Sequence, residues 1–105
     1  MINQNAKNIL VLTAKDMLAG NIDLIEGCRK ICNLRHQVET FINDPLFLIF
    51  RGIESETDHF PIGKVREHCD PDYLNKIDNE KNEYLMETKE FIFQECKKII
   101  EKFGS

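Results

Sequence analysis

The chain of 105 residues is near the common size of one domain and leaves little room for a second hydrophobic core, so a single domain over residues 1–105 is expected. Hydrophobic residues at 42% and charged residues at 30% exclude a disordered chain and predict a buried interior with a solvated exterior. The net charge of -4 is small but unevenly spread: Glu39 to Phe60 holds five acids against Arg51 alone, whereas Met1 to Val38 holds five bases against three acids.

In chain order, Ala6, Ile9, Leu10, Thr13, Met17 and Leu18 recur at spacings of three and four, predicting a first helix that ends near Gly20. Asn21 then offers a capping side chain for a second helix, whose stripe is Ile22, Ile25, Cys28 and Cys32, and Gly27 is expected to admit a close neighbour. The two helices should form a hairpin about Gly20-Asn21. Asp44-Pro45 predicts a third, short helix over the apolar run Leu46 to Phe50, extended by Ile53; a buried strand is the competing reading of that run.

From Glu54 to Gly63 no period is visible, and this stretch reads as the main break in the chain. Asp70-Pro71 caps a further helix through Tyr73, Leu74 and Ile77. A separate long amphipathic helix follows from Glu83 to Phe103, with Tyr84, Leu85, Thr88, Phe91, Ile92, Cys96, Ile99, Ile100 and Phe103 inward, Glu83, Glu87 and Glu90 outward, and Gly104 as its stop. The expected class is therefore all-α: an irregular bundle of about five helices with a long C-terminal amphipathic helix.

Cys28, Cys32, Cys69 and Cys96 could form two disulfides, but the opening Met-Ile-Asn-Gln-Asn has no basic segment followed by an apolar one, so a cytoplasmic protein with reduced, buried thiols is expected. No membrane association is expected either, since Arg51 and Gly52 close the apolar run far short of a bilayer's width.

The densest polar stretch is Glu54, Ser55, Glu56, Thr57, Asp58 and His59, followed by Lys64, Arg66, His68, Cys69 and Asp70. His59, His68, Cys69 and an aspartate are metal-ligating types, but they lack the short fixed spacings of zinc motifs, and neither metal nor cofactor is expected. A small hydrolase centred on Asp58, His59 and His68 is a second option, because neighbouring carboxylates and imidazole tune one another; no positioned nucleophile supports it, and no catalytic residue is assigned. A third is a structural or regulatory helical domain, in which Glu54, Glu56 and Asp58 pair with Arg29, Arg35, Arg51 or Arg66 and Ser55 or Thr57 closes a turn. The fourth is protein binding, with Glu54, Glu56, Asp58 and His59, together with Glu39 and Asp44, facing a basic partner. Nucleic acid is not an expected partner, as the bases are dispersed and no aromatic pair interleaves with them.

Two segments, Met17-Leu18-Ala19-Gly20-Asn21-Ile22-Asp23-Leu24-Ile25-Glu26-Gly27-Cys28-Arg29 and Ser55-Glu56-Thr57-Asp58-His59-Phe60-Pro61-Ile62-Gly63-Lys64-Val65-Arg66, resemble a family of short bacterial proteins sharing an M-L-x-G-x-I-x-L-I-E-G-x-R helix pair and an S-E-T-D-x-x-P-x-G turn. Some members of that family look like the immunity partners of contact-dependent growth inhibition toxins. The resemblance implies a binding protein that covers a toxin's active site. If the toxin is a nuclease, its cleft is basic, and an acidic protein can fill it by imitating nucleic-acid charge.

Overall fold

The computed structural model describes residues 4–34, Gln37 and residues 45–104. These form four α-helices and one 3₁₀ helix, with no strand among the described residues: α1 Gln4–Ala19, α2 Leu24–Leu34, α3 Pro45–Thr57, the 3₁₀ helix Gly63–His68, and α4 Pro71–Phe103. The protein is all-α, as its periodicities predict.

α1 buries Ala6, Leu10, Thr13 and Met17 of the predicted stripe and, beside them, Val11 and Ala14, while Ile9 and Leu18 are half-buried. It ends where Gly20 takes a φ of 78°, a conformation that costs a residue without Cβ little, and the Asn21 amide donates to the Asp16 carbonyl. The cap of α2 lies two residues beyond the expected Asn21: the Asp23 carboxylate accepts from the Glu26 amide at 3.0 Å, so Asn21 and Ile22 belong to the turn. Gly27 performs the expected role. A Cβ placed there would lie 2.5 Å from both Cγ and Sδ of the fully buried Met17, so the missing side chain sets the separation of the hairpin.

The run from Leu46 is helical, and α3 continues past Ile53 through Thr57. Two causes are visible. Phe47, Phe50, Ile53 and Thr57 keep a single buried face, and the Thr57 hydroxyl returns its hydrogen bond to the Ile53 carbonyl at 2.7 Å; Gly52 is tolerated because it lies on the exposed side. The break in the chain is therefore shorter than the Glu54–Gly63 stretch predicted.

The last two expected helices are one. Asp70 caps α4 by accepting from the Tyr73 amide, Pro71 fills the first turn, and the helix runs 33 residues to Gly104. At 1.5 Å per residue it spans about 50 Å, matching the 47 Å long axis of the molecule. The polar middle of α4, Asp78 to Asn82, looks like a break in sequence but contains neither glycine nor proline, and tertiary ion pairs hold it: Asp78 with Arg66, and Lys81 with Asp23.

Ile92, Cys96 and Ile99 are wholly buried, as expected, and join Leu10, Met17, Ile31, Phe47 and Phe50 in the core. Two positions on α4 depart from the predicted stripe. Phe91 is 45% exposed, and Glu95 is 1% exposed. The first lies off the centre of the buried arc, while the second lies three residues from Ile92 and four from Ile99, well within it.

Cys28, Cys32 and Cys96 are buried free thiols; Cys69 is half-buried, which corrects the expectation that all four are interior. Burial pushes the Cys96 thiol up to about 12 and holds Cys28 well above its ordinary range. The reactive species is the thiolate. Alkylation of the native protein at neutral pH should therefore modify one thiol, Cys69, quickly, with the other three following only as fast as the fold opens. Intact-mass measurement against time reads this, and three or four rapid additions would contradict it.

Candidate functional site

The two segments singled out in the sequence meet in the fold. Arg29, from α2, reaches across to the end of α3, where its Nη2 donates to the carbonyls of Thr57 at 2.6 Å and Phe60 at 2.9 Å. These carbonyls close the tight turn after α3, in which the Phe60 amide returns to Thr57. Arg66 makes a bidentate pair with Asp78 at 2.9 and 2.7 Å and also donates to the Pro61 carbonyl at 3.1 Å. The guanidinium holds the Asp78 carboxyl below its ordinary value, chiefly by hydrogen bonding. Arginines thus fasten the connection, as one sequence reading supposed, but through backbone carbonyls and Asp78 in place of Glu54, Glu56 and Asp58. Among the described residues no ion pair joins those three carboxylates to an arginine, and Arg35 lies outside the described residues.

Between these segments and α4 lies an open cleft of about 420 Å³. Its walls include Asp23, Arg66, Asp78 and Lys81, and these four charges satisfy one another across it. The cleft is the seam that fixes the 3₁₀ segment and the α2 N-terminus on α4.

On the far side of the same turn the polar groups face water. Glu56, Asp58 and His59 are exposed, while Glu54 is half-buried and, on a helix, lies about 160° around α3 from Glu56. The His59 ring lies tilted at 47° against buried Phe60, with centroids 4.2 Å apart. Glu39 and Asp44 lie outside the described residues. Among the described residues no hydrogen bond or ion pair links Asp58, His59 and His68, and no group of three or more His, Cys, Asp or Glu side chains is arranged to hold a metal ion.

The acidic surface acquires its extent from α4. Tyr84 Oη donates to Glu56 Oε2 at 3.0 Å, and its ring meets Phe60 edge-on at 6.3 Å. Burial, and then the hydrogen bond to Glu56, push the Tyr84 phenol well above its ordinary value, so it remains a donor. At the other end of the helix Phe103 contacts Phe47, so α3 and α4 run antiparallel and the Tyr84 edge of α4 borders α3. On a helix turning about 100° per residue, Glu80, Glu87 and Phe91 stand within a narrow arc beside Tyr84, and Glu83 and Glu90 flank that arc on the solvent side. All of these carboxylates are exposed. With Glu56 and Asp58 they form one acidic face that crosses from the end of α3 onto the middle of α4. Lys76 stands at the N-terminal end of the strip, and Lys98 is drawn to Glu95 at 2.9 Å beyond the other.

Sequence reasoning named the α3 part of this face and read Glu83, Glu87 and Glu90 as an ordinary solvated side. The signal that joins them is the Tyr84–Glu56 bond, which is tertiary. Glu80 stood in what looked like a break. No family model, curated protein or solved structure matches the chain.

Proposed function

We propose that this protein acts by binding a basic protein, which it meets with the face formed by Glu56, Asp58, Glu80, Glu83 and Glu87, with His59 at its edge; Glu54, on the other side of α3 from Glu56, lies off this face. The carrying observation is that carboxylates from two helices are brought onto one side of the molecule by the Tyr84–Glu56 bond and the Arg29 clamp, while the nearby bases Arg29, Arg66 and Lys81 are engaged in internal bonds. A fixed array of one sign steers an oppositely charged partner and disfavours nucleic acid. Together with the resemblance of the Met17–Arg29 helix pair and the Ser55–Arg66 turn to immunity proteins, this supports an inhibitor that covers the phosphate-binding surface of a toxin. The partner is then a basic toxin domain and the inhibition is stoichiometric.

The test couples capture with charge reversal. Wild-type protein should retain a basic toxin domain from the native cell in a one-to-one complex, and expression of the protein should protect cells from that domain. Glu83→Lys with Glu87→Lys should slow association on the order of tenfold at low salt and flatten its salt dependence, with melting temperature unchanged. Glu56→Gln with Asp58→Asn should act in the same direction. Undiminished association in a folded charge-reversed variant would refute the assignment of this face.

A further inference from the structure

α4 carries three partly exposed phenylalanines, and two of them have a cation of their own helix above the ring. Lys89 Nζ lies 5.5 Å from the centroid of Phe93, and Lys102 Nζ lies 5.6 Å from that of Phe103. Phe91 differs. It is 45% exposed, and among the described residues it has no ring or cation contact. Its neighbours one turn away are Glu87 and Glu95, with Glu90 beside it. The position that on Phe93 is filled by Lys89 is filled on Phe91 by Glu87.

Glu95 is only 1% exposed. Its Oε1 is paired with Lys98, but its Oε2 is buried and has no hydrogen-bond partner among the described residues. Glu95 and Phe91 are four residues apart and so are neighbours on the same side of the helix. The open aromatic face and the exposed carboxylate one turn before it present two attractions to a planar cation. A guanidinium fits both, since it stacks on an aromatic face and pairs with carboxylate in its own plane.

We propose that Phe91 and Glu87 form the seat for an arginine side chain of the basic partner. The proposal rests on the protein-binding reading above and adds to it the residue chemistry of the partner's anchor. It also gives Phe91 the position typical of a binding hot spot, an aromatic side chain within a ring of polar groups.

Nona-arginine, nona-lysine and an uncharged glycine-serine peptide of equal length are the probes, titrated by calorimetry at low salt, with the Phe91 amide followed by NMR. Nona-arginine should bind roughly two- to fivefold more tightly than nona-lysine, because a guanidinium stacks on the ring and pairs with a carboxylate at once while an ammonium acts as a point charge, and should shift the Phe91 amide. Phe91→Leu, which keeps the apolar bulk and loses the ring, should fold normally and remove the preference. Equal affinity of the two basic peptides for wild type, or a preference that survives Phe91→Leu, would overturn the arginine seat while the acidic face stands. Basic peptides that bind no better than the uncharged one would overturn both.

Discussion

Phe50→Ala should lower stability by about 3–5 kcal/mol, whereas Leu48→Ala, two residues away, should change it by less than about 0.5 kcal/mol. Phe50 is completely buried in the central cluster, and Leu48 is 54% exposed. Removing a buried ring loses its transfer energy and leaves a cavity whose walls come from several helices and cannot collapse freely. In a domain of this size each kcal/mol moves the midpoint by roughly 4–8 °C, so the Phe50 variant should melt about 12–40 °C below wild type. The pair of substitutions also distinguishes the two sequence readings of Leu46 to Phe50. A strand, with its period of two, turns residues 48 and 50 to the same side; a helix separates them and groups Phe47 with Phe50. Thermal denaturation of both variants decides the matter, and comparable losses at the two positions would contradict the helical register.

The parts of this fold that were legible in sequence are those where the local and tertiary requirements agree. The stripe of α1, the turn at Gly20, the close approach at Gly27 and the Asp70-Pro71 start of α4 each follow from spacing or from backbone chemistry within a few residues. The misreadings lie where distant groups decide. The polar stretch Asp78 to Asn82 reads as a break because its own side chains offer no apolar stripe, and only the pairs with Arg66 and Asp23 show why it stays helical. Ser55-Glu56-Thr57 reads as loop for the same reason, although Thr57 is wholly buried. The acidic face was half visible: Glu56 and Asp58 stand in the dense polar stretch, but Glu80, Glu83 and Glu87 join them only because α4 packs antiparallel beside α3. Glu95 is buried by a position on the helix that sequence periodicity marks as interior, against the strong preference of its type for solvent.

Arg29→Met should cost about 2–4 kcal/mol, an effect near that of a core deletion although no core atom is removed. Methionine keeps the apolar stem, so the loss isolates the guanidinium and its two bonds to the Thr57 and Phe60 carbonyls. Both acceptors lie in a part-buried turn beside residues that are themselves buried, Thr57 and Phe60, and water cannot replace the donor without opening that packing. The damage should be local before it is global. Amide exchange at Phe60, whose N–H closes the turn onto Thr57 at 3.1 Å, should rise first, followed by loss of the Tyr84–Glu56 bond that joins α3 to α4. Arg29→Lys should recover only part of the stability, because its ammonium is a point charge on a different stem and does not reproduce the planar fork. For partner binding the same variant should mainly speed dissociation, since the overall charge field is little altered but the carboxylates are no longer held in one arrangement. Charge reversal on α4 acts on association, so the two classes of variant are separable in one kinetic experiment. An Arg29→Met protein with wild-type exchange at Phe60 would show that the turn is held by packing alone and that the clamp does not organise the acidic face.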